Sequence, residues 1–530
     1  MPSVKRKESL SSSAARMAYV LYLGQAFAVV VSVITFIALT RMLGPSRYGF
    51  YIFAVSFALI VGGMQNFGVG AYFARNLARS CSDNDARGIS RTMSSGFALL
   101  IAMALVITIV GVGISGFVAN VLFSSVGISS LSLVLASLWI FFMMLQNSAI
   151  MALVGLSRPV SAAVITVVID IAQLAAILAL LYLGMGVNGA LLGMLLGYIA
   201  GAAIAVAYAV RAASRFRGFA LRMPSKREFM QAFNFSAPLG LLNLFRLFTQ
   251  NFSVLLLSVF VTAIILGNYS AALKGLSLTT TIFTTSSTFL IPVFSRAGHR
   301  SGSSSSKNRS YDKITLYSLI FSMPIIIYIA VMANPGLHIL LSGNYASAPL
   351  YLTLIAFGTA INMISVSLGS LIISEGATRK YLYYSIVSVI VQVASMALLV
   401  PYLKVIGVII SVFIIGSMTS NLLSIRLAMK YIKARLSYLR MHLVLLANLI
   451  LALPISAALL LPGHVLELLS GLIMMILAYP AILGLMRLVE KSDLDKLTSS
   501  TSGIRYFGSA IRWLCTYTMV FVGMNGAANA

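Results

Sequence analysis

The sequence predicts an all-α polytopic membrane protein with about fourteen transmembrane helices, arranged as two parallel-repeat six-helix lobes plus two C-terminal helices. Three observations predict it. The 530 residues are 60% hydrophobic and 9% charged, with a mean hydropathy of +0.99, which no soluble globular class reaches. Apolar runs of membrane-spanning length follow one another almost back to back from 15 to 486. The chain also resembles itself at an offset of 221 residues.

A hydrocarbon core of roughly 30 Å needs about 20 apolar residues of helix. Such windows place spans at 15–40, 49–74, 92–117, 131–153, 160–183, 189–210, 233–262, 269–294, 314–333, 348–373, 381–401, 407–425, 441–461 and 467–486. Lys5, Arg6 and Lys7 precede the first run, which is too long for a signal-peptide core and has no small-residue cleavage site, so it reads as a retained span.

The net charge of +26 would point to nucleic acid in a soluble protein, but here the cations lie in short clusters between apolar runs. With the N-terminus inside, 32 of the 37 Lys and Arg residues fall in inner segments and the outer loops keep only Arg41, Arg47 and Lys404. The positive-inside rule therefore puts both termini in the cytoplasm and the chain in the cell membrane, where the basic loops face anionic headgroups. Nucleic-acid binding is set aside.

The expected divisions are a cytoplasmic N-terminal segment (1–14), an N-lobe (15–210), a basic cytoplasmic linker (211–232), a C-lobe (233–428), two further helices (429–488) and a cytoplasmic tail (489–530). Within the tail, 504–522 is apolar but carries Arg505 and Arg512. Those cations are costly in hydrocarbon, so this stretch reads as an interfacial amphipathic helix.

The 221-residue offset brings Tyr48 onto Tyr269 and Arg75 onto Arg296, and Gly155-Leu156-Ser157-Arg158 onto Gly376-Ala377-Thr378-Arg379. Farther on the register drifts, and Gly189 matches Gly407. An offset of six helices preserves orientation, so the halves are parallel repeats about an axis along the membrane normal. Repeats of this kind place a solute site between lobes and open it alternately to either side, which makes transport the leading function.

An ionisable group at the centre of a span costs about 2.5 to 3.5 kcal/mol, so each one calls for an explanation. Asn243, Arg246 and Gln250 share one stripe of the seventh span, and Arg246 there could hold an anion such as phosphate or make a structural ion pair. Lys274 heads a polar stripe through Ser277, Thr281 and Thr284 or Thr285, and either lines the same cleft or snorkels outward. Asp170 is the only carboxylate at membrane depth; it is either an ion-coupling site for a proton or sodium, or the counter-charge to Arg246 or Lys274. Gln25 aligns with Arg246 at the repeat offset, so the first lobe offers a neutral polar group opposite the cation.

Enzyme chemistry finds no footing. His299, His338, His442 and His464 lie near helix ends, no catalytic triad or metal spacing occurs, and Cys81 and Cys515 have no partner spacing. No cofactor or metal is expected. Glycines such as Gly68 and Gly70 inside apolar runs fit close helix packing better than a phosphate loop.

The segments Leu39-Thr40-Arg41-Met42-Leu43-Gly44-Pro45-Ser46-Arg47-Tyr48-Gly49 and Phe67-Gly68-Val69-Gly70 resemble the polysaccharide-biosynthesis flippases of the multidrug, oligosaccharidyl-lipid and polysaccharide (MOP) exporter superfamily. So do Leu266-Gly267-Asn268-Tyr269, Ile291-Pro292-Val293-Phe294-Ser295 and Leu341-Ser342-Gly343-Asn344-Tyr345. The resemblance covers roughly 15–430. It implies export of a polyprenyl- or dolichyl-linked oligosaccharide from the cytoplasmic to the outer leaflet, with membrane lipids and glycan-assembly proteins as partners. Many relatives carry an acid in the seventh helix where this chain has Asn251, Phe252 and Ser253. A multidrug or cation antiporter would want several membrane carboxylates, and a membrane glycosyltransferase or polymerase would want a large outer loop or an acidic cluster.

Overall fold

A computed structural model describes residues 2–62, 68–122, 129–277, 304–341, 343–375, 377–432, 437–490, 495 and 513–521. Every regular element among them is helical, as hydrocarbon requires of a backbone that must satisfy its own polar groups. Ten of the helical stretches are long and apolar enough to cross a bilayer.

Two of these helical stretches contain breaks that correspond to predicted loops. Helix α1 (Pro2–Val61) runs 60 residues, about 90 Å at helical rise and far more than one crossing. It breaks at Gly44 (φ 69°), a conformation that suits glycine, with Pro45 next, between the first two predicted spans. Helix α12 (Thr378–Ile409) likewise breaks at Lys404 (φ 49°) after Pro401, between the spans predicted at 381–401 and 407–425.

The span predicted at 49–74 does not run as one helix. The second arm of α1 ends at Val61, Gly68 adopts φ 68°, and a new helix α2 (Val69–Ser82) begins. Helix α2 buries Val69, Tyr72, Phe73 and Leu77 while exposing Arg75 and Arg79, so its two faces differ too much for lipid on all sides. Residues 63–67 lie outside the described set.

Packing divides the chain into two compact units, 1–270 and 271–530. In the first, α4 (Ser130–Gly155) packs on α1, α2, α3 (Ala86–Phe117) and α6 (Gly186–Ala213). Helix α6 lies along α5 (Pro159–Tyr182) through glycines spaced four apart. A Cβ at Gly193 would stand 2.6 Å from the Ile177 Cα, and one at Gly197 would meet the Gln173 side chain at 2.7 Å. The hairpin partners therefore meet backbone to backbone, where dispersion contacts rather than hydrophobic transfer hold helices together in lipid.

Helix α7 (Lys226–Phe260) belongs to this first unit, packing on α1, α2 and α3. The 211–232 stretch leading to it is docked rather than loose. The Ala220 and Arg222 amides donate to Ser90 Oγ (3.0 Å) and Ser94 Oγ (3.1 Å) on α3. Ser225 and Glu228 form a capping box, and Glu228 also pairs with Arg222 (2.5 Å) and Arg91 (3.4 Å). The Glu228 carboxyl is held below the usual carboxylate range, first by the Ser225 amide it accepts and then by Arg222 and Arg91, against the opposing effect of burial. A depressed carboxylate stabilises the fold above its unfolded pKa of about 4.3 and loses that contribution as pH falls through the folded value. The melting-temperature gap between wild type and Glu228→Gln is therefore expected to be full at neutral pH and to close below about pH 4. Thermal melting across pH checks this; a gap unchanged at pH 3 rules it out.

The last turns of that unit carry the start of helix α8 (263–277). The second arm of α1 crosses α8 without side chains between them. A Cβ at Gly49 would collide with the Ala263 carbonyl oxygen, and one at Gly267 with the Pro45 carbonyl oxygen. Tyr48 and Tyr269, equated by the repeat offset, flank this crossing and are both buried.

In the second unit, α9 (Ser304–Val331) packs on α11 (Ala348–Ser374) and α14 (Tyr438–Ala457). A short helix absent from the predicted spans, α10 (Ala333–Leu340), lies on α15 (His464–Leu485). Helix α13 (Ser417–Leu427) joins α11 through the Asn421 amide, which donates to the Ile361 carbonyl at 2.8 Å. Helix α15 is tied to α9 twice: the Tyr328 hydroxyl donates to the Leu468 carbonyl (2.8 Å) and the Tyr479 hydroxyl to the Ile320 carbonyl (2.9 Å). Of the predicted interfacial helix, residues 513–521 are described and helical, with Trp513 and Val520 exposed and Cys515 and Thr518 buried.

Candidate functional site

Asn243, Arg246 and Gln250 all lie on α7, past Pro238, on a backbone that stays helical through the proline. Their spacing of three and four residues keeps them on one face. Gln250 is exposed; the side chains of Asn243 and Arg246, like that of Gln25 on α1, lie outside the described set. About two turns before the stripe, α2 meets α7 closely. A Cβ at Gly68 would stand 2.6 Å from the Ser236 carbonyl oxygen, and Arg75 lies over the Phe235 ring at 5.4 Å. Farther along α7, Ser253 is buried beside Tyr269.

Lys274 lies half-buried on α8 and makes no salt bridge among the described residues. Its backbone carbonyl accepts the Ser277 hydroxyl at 2.8 Å. Thr281, Thr284 and Thr285, which continue that polar stripe, lie outside the described residues.

Asp170 occupies the middle of α5, half-buried, and also makes no salt bridge among the described residues. One neighbour is polar all the same. Tyr198 on α6 lies within electrostatic reach of Asp170 and packs edge-on against Trp139 of α4, with ring centroids 5.8 Å apart. Tyr51 on α1 interacts with Tyr198 and donates its hydroxyl to the Met194 sulfur at 3.2 Å. Gln146 on α4 is 4% exposed, and its amide oxygen, pressed against Gly201 beside Ile169, has no hydrogen-bond partner among the described residues. A buried amide oxygen without a donor is costly and suits a cation or a water O–H.

Three helices other than α5 thus supply a cluster that reaches Asp170 through Tyr198: Tyr51 and Trp139 interact with Tyr198, and Gln146 lies beside Ile169. Sequence reading weighed the charged groups and passed over these neutral ones. Gln146 carried a usable signal, an amide inside an otherwise apolar span; the tyrosines did not, since aromatic residues in such runs are ordinary core. Among the described residues no three His, Cys, Asp or Glu side chains gather as a metal site would require.

The family model described as "Polysaccharide biosynthesis protein" matches residues 14–298, more than half of the chain. In fold, the chain is similar to the lipid II flippase MurJ in an inward closed conformation, with a TM-score of 0.69 at 13% identity over 87% of this chain and 97% of that one. It is also similar to an inward-facing multidrug resistance MATE family transporter of the MOP superfamily, with a TM-score of 0.61 at 16% identity over 75% and 92%. A eukaryotic MATE transporter, AtDTX14, aligns with a TM-score of 0.53 at 14% identity over 78% and 96%. No curated protein matches the chain in sequence. With its helices, its breaks and its match over both the first unit and the start of α8, this chain belongs to the polysaccharide biosynthesis protein family and carries the fold of the MOP transporter superfamily.

Proposed function

We propose that the protein flips a lipid-linked oligosaccharide from the cytoplasmic to the outer leaflet of the cell membrane, by alternating access between two six-helix lobes (15–210 and 233–428) with both termini in the cytoplasm. The observation that carries this is Arg246. It is a cation halfway along a membrane helix, on one stripe with Asn243 and Gln250, in a chain with a single carboxylate at that depth. A phosphate linking sugar to lipid is the anion such a stripe fits, since a guanidinium binds it through two parallel hydrogen bonds. Gln25 completes the polar lining, while the lipid tail stays in the bilayer. Membership in a polysaccharide-biosynthesis family and likeness in fold to a lipid II flippase both favour a lipid-linked sugar as cargo.

Asp170, with Tyr198 in electrostatic reach, fits the ion-coupling role better than the counter-charge role, because it makes no salt bridge among the described residues while the unpaired Gln146 amide oxygen lies beside the adjoining Ile169. The scarcity of membrane carboxylates argues against a multidrug or cation antiporter, and the absence of a catalytic cluster in the sequence argues against a glycosyltransferase or polymerase. Depletion is expected to leave full-length glycolipid stranded on the inner leaflet, scored by protection from a membrane-impermeant sugar oxidant. Missing or shortened glycans with normal outer-leaflet delivery would overturn the flippase reading.

A further inference from the structure

The ends of three helix pairs in the first unit surround a cavity of about 390 Å³. Arg158 comes from the α4–α5 turn, Arg215 and Arg217 from the segment after α6, and Asn84 from the α2–α3 turn, over a floor that includes Leu156 and Phe216. The three arginines are exposed and make no salt bridge among the described residues. The carboxylates of the neighbouring turn are turned away. Asp83 pairs with Arg79 at 3.9 Å, Asp85 folds over Gly88, and neither lines the cavity. Helices α3 and α5 both begin at this cavity, so the positive ends of two helix dipoles add to the arginine charge.

The second unit shows what such a cation cluster looks like when the chain supplies its own anion. There Glu490, just past α15, lies 2.7 Å from Lys313, 3.7 Å from Arg309 and 3.8 Å from Arg440. Among the described residues no carboxylate plays that part for Arg158, Arg215 and Arg217. Above Arg158, α5 presents Val160, Val164, Val168 and Ile171 as an exposed apolar track. A chain of CH₂ groups leaving the cavity would follow that track.

We infer that this cavity binds a phosphate anion at the membrane surface, held by Arg158, Arg215 and Arg217, with the apolar track favouring a phospholipid headgroup over free phosphate as its source. The site lies apart from the stripe on α7 and does not depend on what the protein transports. Charge-assisted, two-pronged hydrogen bonds from guanidinium groups are the chemistry that recognises phosphate, and basic pockets between membrane helices recognise anionic headgroups in this way.

The test uses the full-length protein in a neutral detergent, with phosphatidylglycerol, phosphatidylcholine or inorganic phosphate added and bound ligand read by native mass spectrometry and thermal melting. Wild type is expected to retain phosphatidylglycerol in preference to phosphatidylcholine. Each arginine changed to glutamine should weaken binding about fivefold, and all three together on the order of a hundredfold. Stabilisation by phosphatidylglycerol well beyond that by equimolar inorganic phosphate assigns the site to lipid; equal stabilisation assigns it to free phosphate, and both outcomes support a phosphate site. The inference falls if Arg158→Gln/Arg215→Gln/Arg217→Gln binds phosphatidylglycerol as wild type does, or if wild type responds to neither ligand. Should the triple variant fail to fold, Arg217→Gln alone, on an exposed segment, decides the matter by the same readouts.

Discussion

Replacing Arg246 by alanine is expected to lower outer-leaflet delivery of the glycolipid about tenfold or more at equal protein level. A hydrogen bond to a charged group contributes about 1.5–3 kcal/mol, and in a water-poor cleft the charge of a phosphate has few other partners. Losing one such contact in the loaded state corresponds to roughly a ten- to hundredfold change. Arg246→Lys should fall between, because an ammonium keeps the charge but cannot make two parallel hydrogen bonds to one phosphate. Delivery is measured by access of an impermeant reagent to the sugar in intact cells, with membrane protein level quantified alongside. Unchanged delivery in Arg246→Ala would remove the residue from the mechanism; equal loss in both variants with less protein would mark a folding role instead.

Gly267→Val is expected to destabilise the protein by about 3 kcal/mol or more, at the upper end of what overpacking costs. The crossing of α1 and α8 brings the Pro45 carbonyl oxygen into the volume any Cβ at Gly267 would fill, and the reciprocal clash awaits Gly49. A flexible side chain could swing aside, but a carbonyl on a helix can move only if the helix moves. Gly275→Ala on the same α8 helix is the control, since its new Cβ would meet the Leu337 side chain at 3.7 Å and that of Leu352 at 4.0 Å, both ordinary contacts. Thermal melting in detergent should separate the two: a large fall for Gly267→Val and little change for Gly275→Ala. A melting curve for Gly267→Val that overlays the wild type would mean the helices do not meet there.

That crossing also shows where sequence reading reached its limit. Leu266-Gly267-Asn268-Tyr269 was legible as a family segment, and Tyr48 and Tyr269 as a repeated pair, but neither pattern says that Gly49 and Gly267 lie against each other. The glycines of α6 at 189, 193, 197 and 201 sit on a regular spacing in the sequence, yet only the neighbouring Ile177 and Gln173 reveal which helix they admit. The candidate carboxylate Asp170 was evident as a lone charge in an apolar run. Its neutral companions were not, because Tyr51, Trp139, Gln146 and Tyr198 come from three other helices and each alone is unremarkable in composition.

Composition and the lengths of apolar runs determined by themselves that the chain is a membrane bundle of helices and where most of them lie. In hydrocarbon a segment has no water to satisfy its backbone, so a long apolar run leaves helix as its main choice. Tertiary structure alone decided that the second predicted span ends at Val61 and gives way to amphipathic α2, and that α7 packs with α1, α2 and α3. It alone decided that three arginines from two separate loops share one cavity while Glu490 answers a similar cluster elsewhere. Those outcomes depend on contacts between residues far apart along the chain, and local hydropathy carries no record of which distant side chain completes a charge or fills a gap.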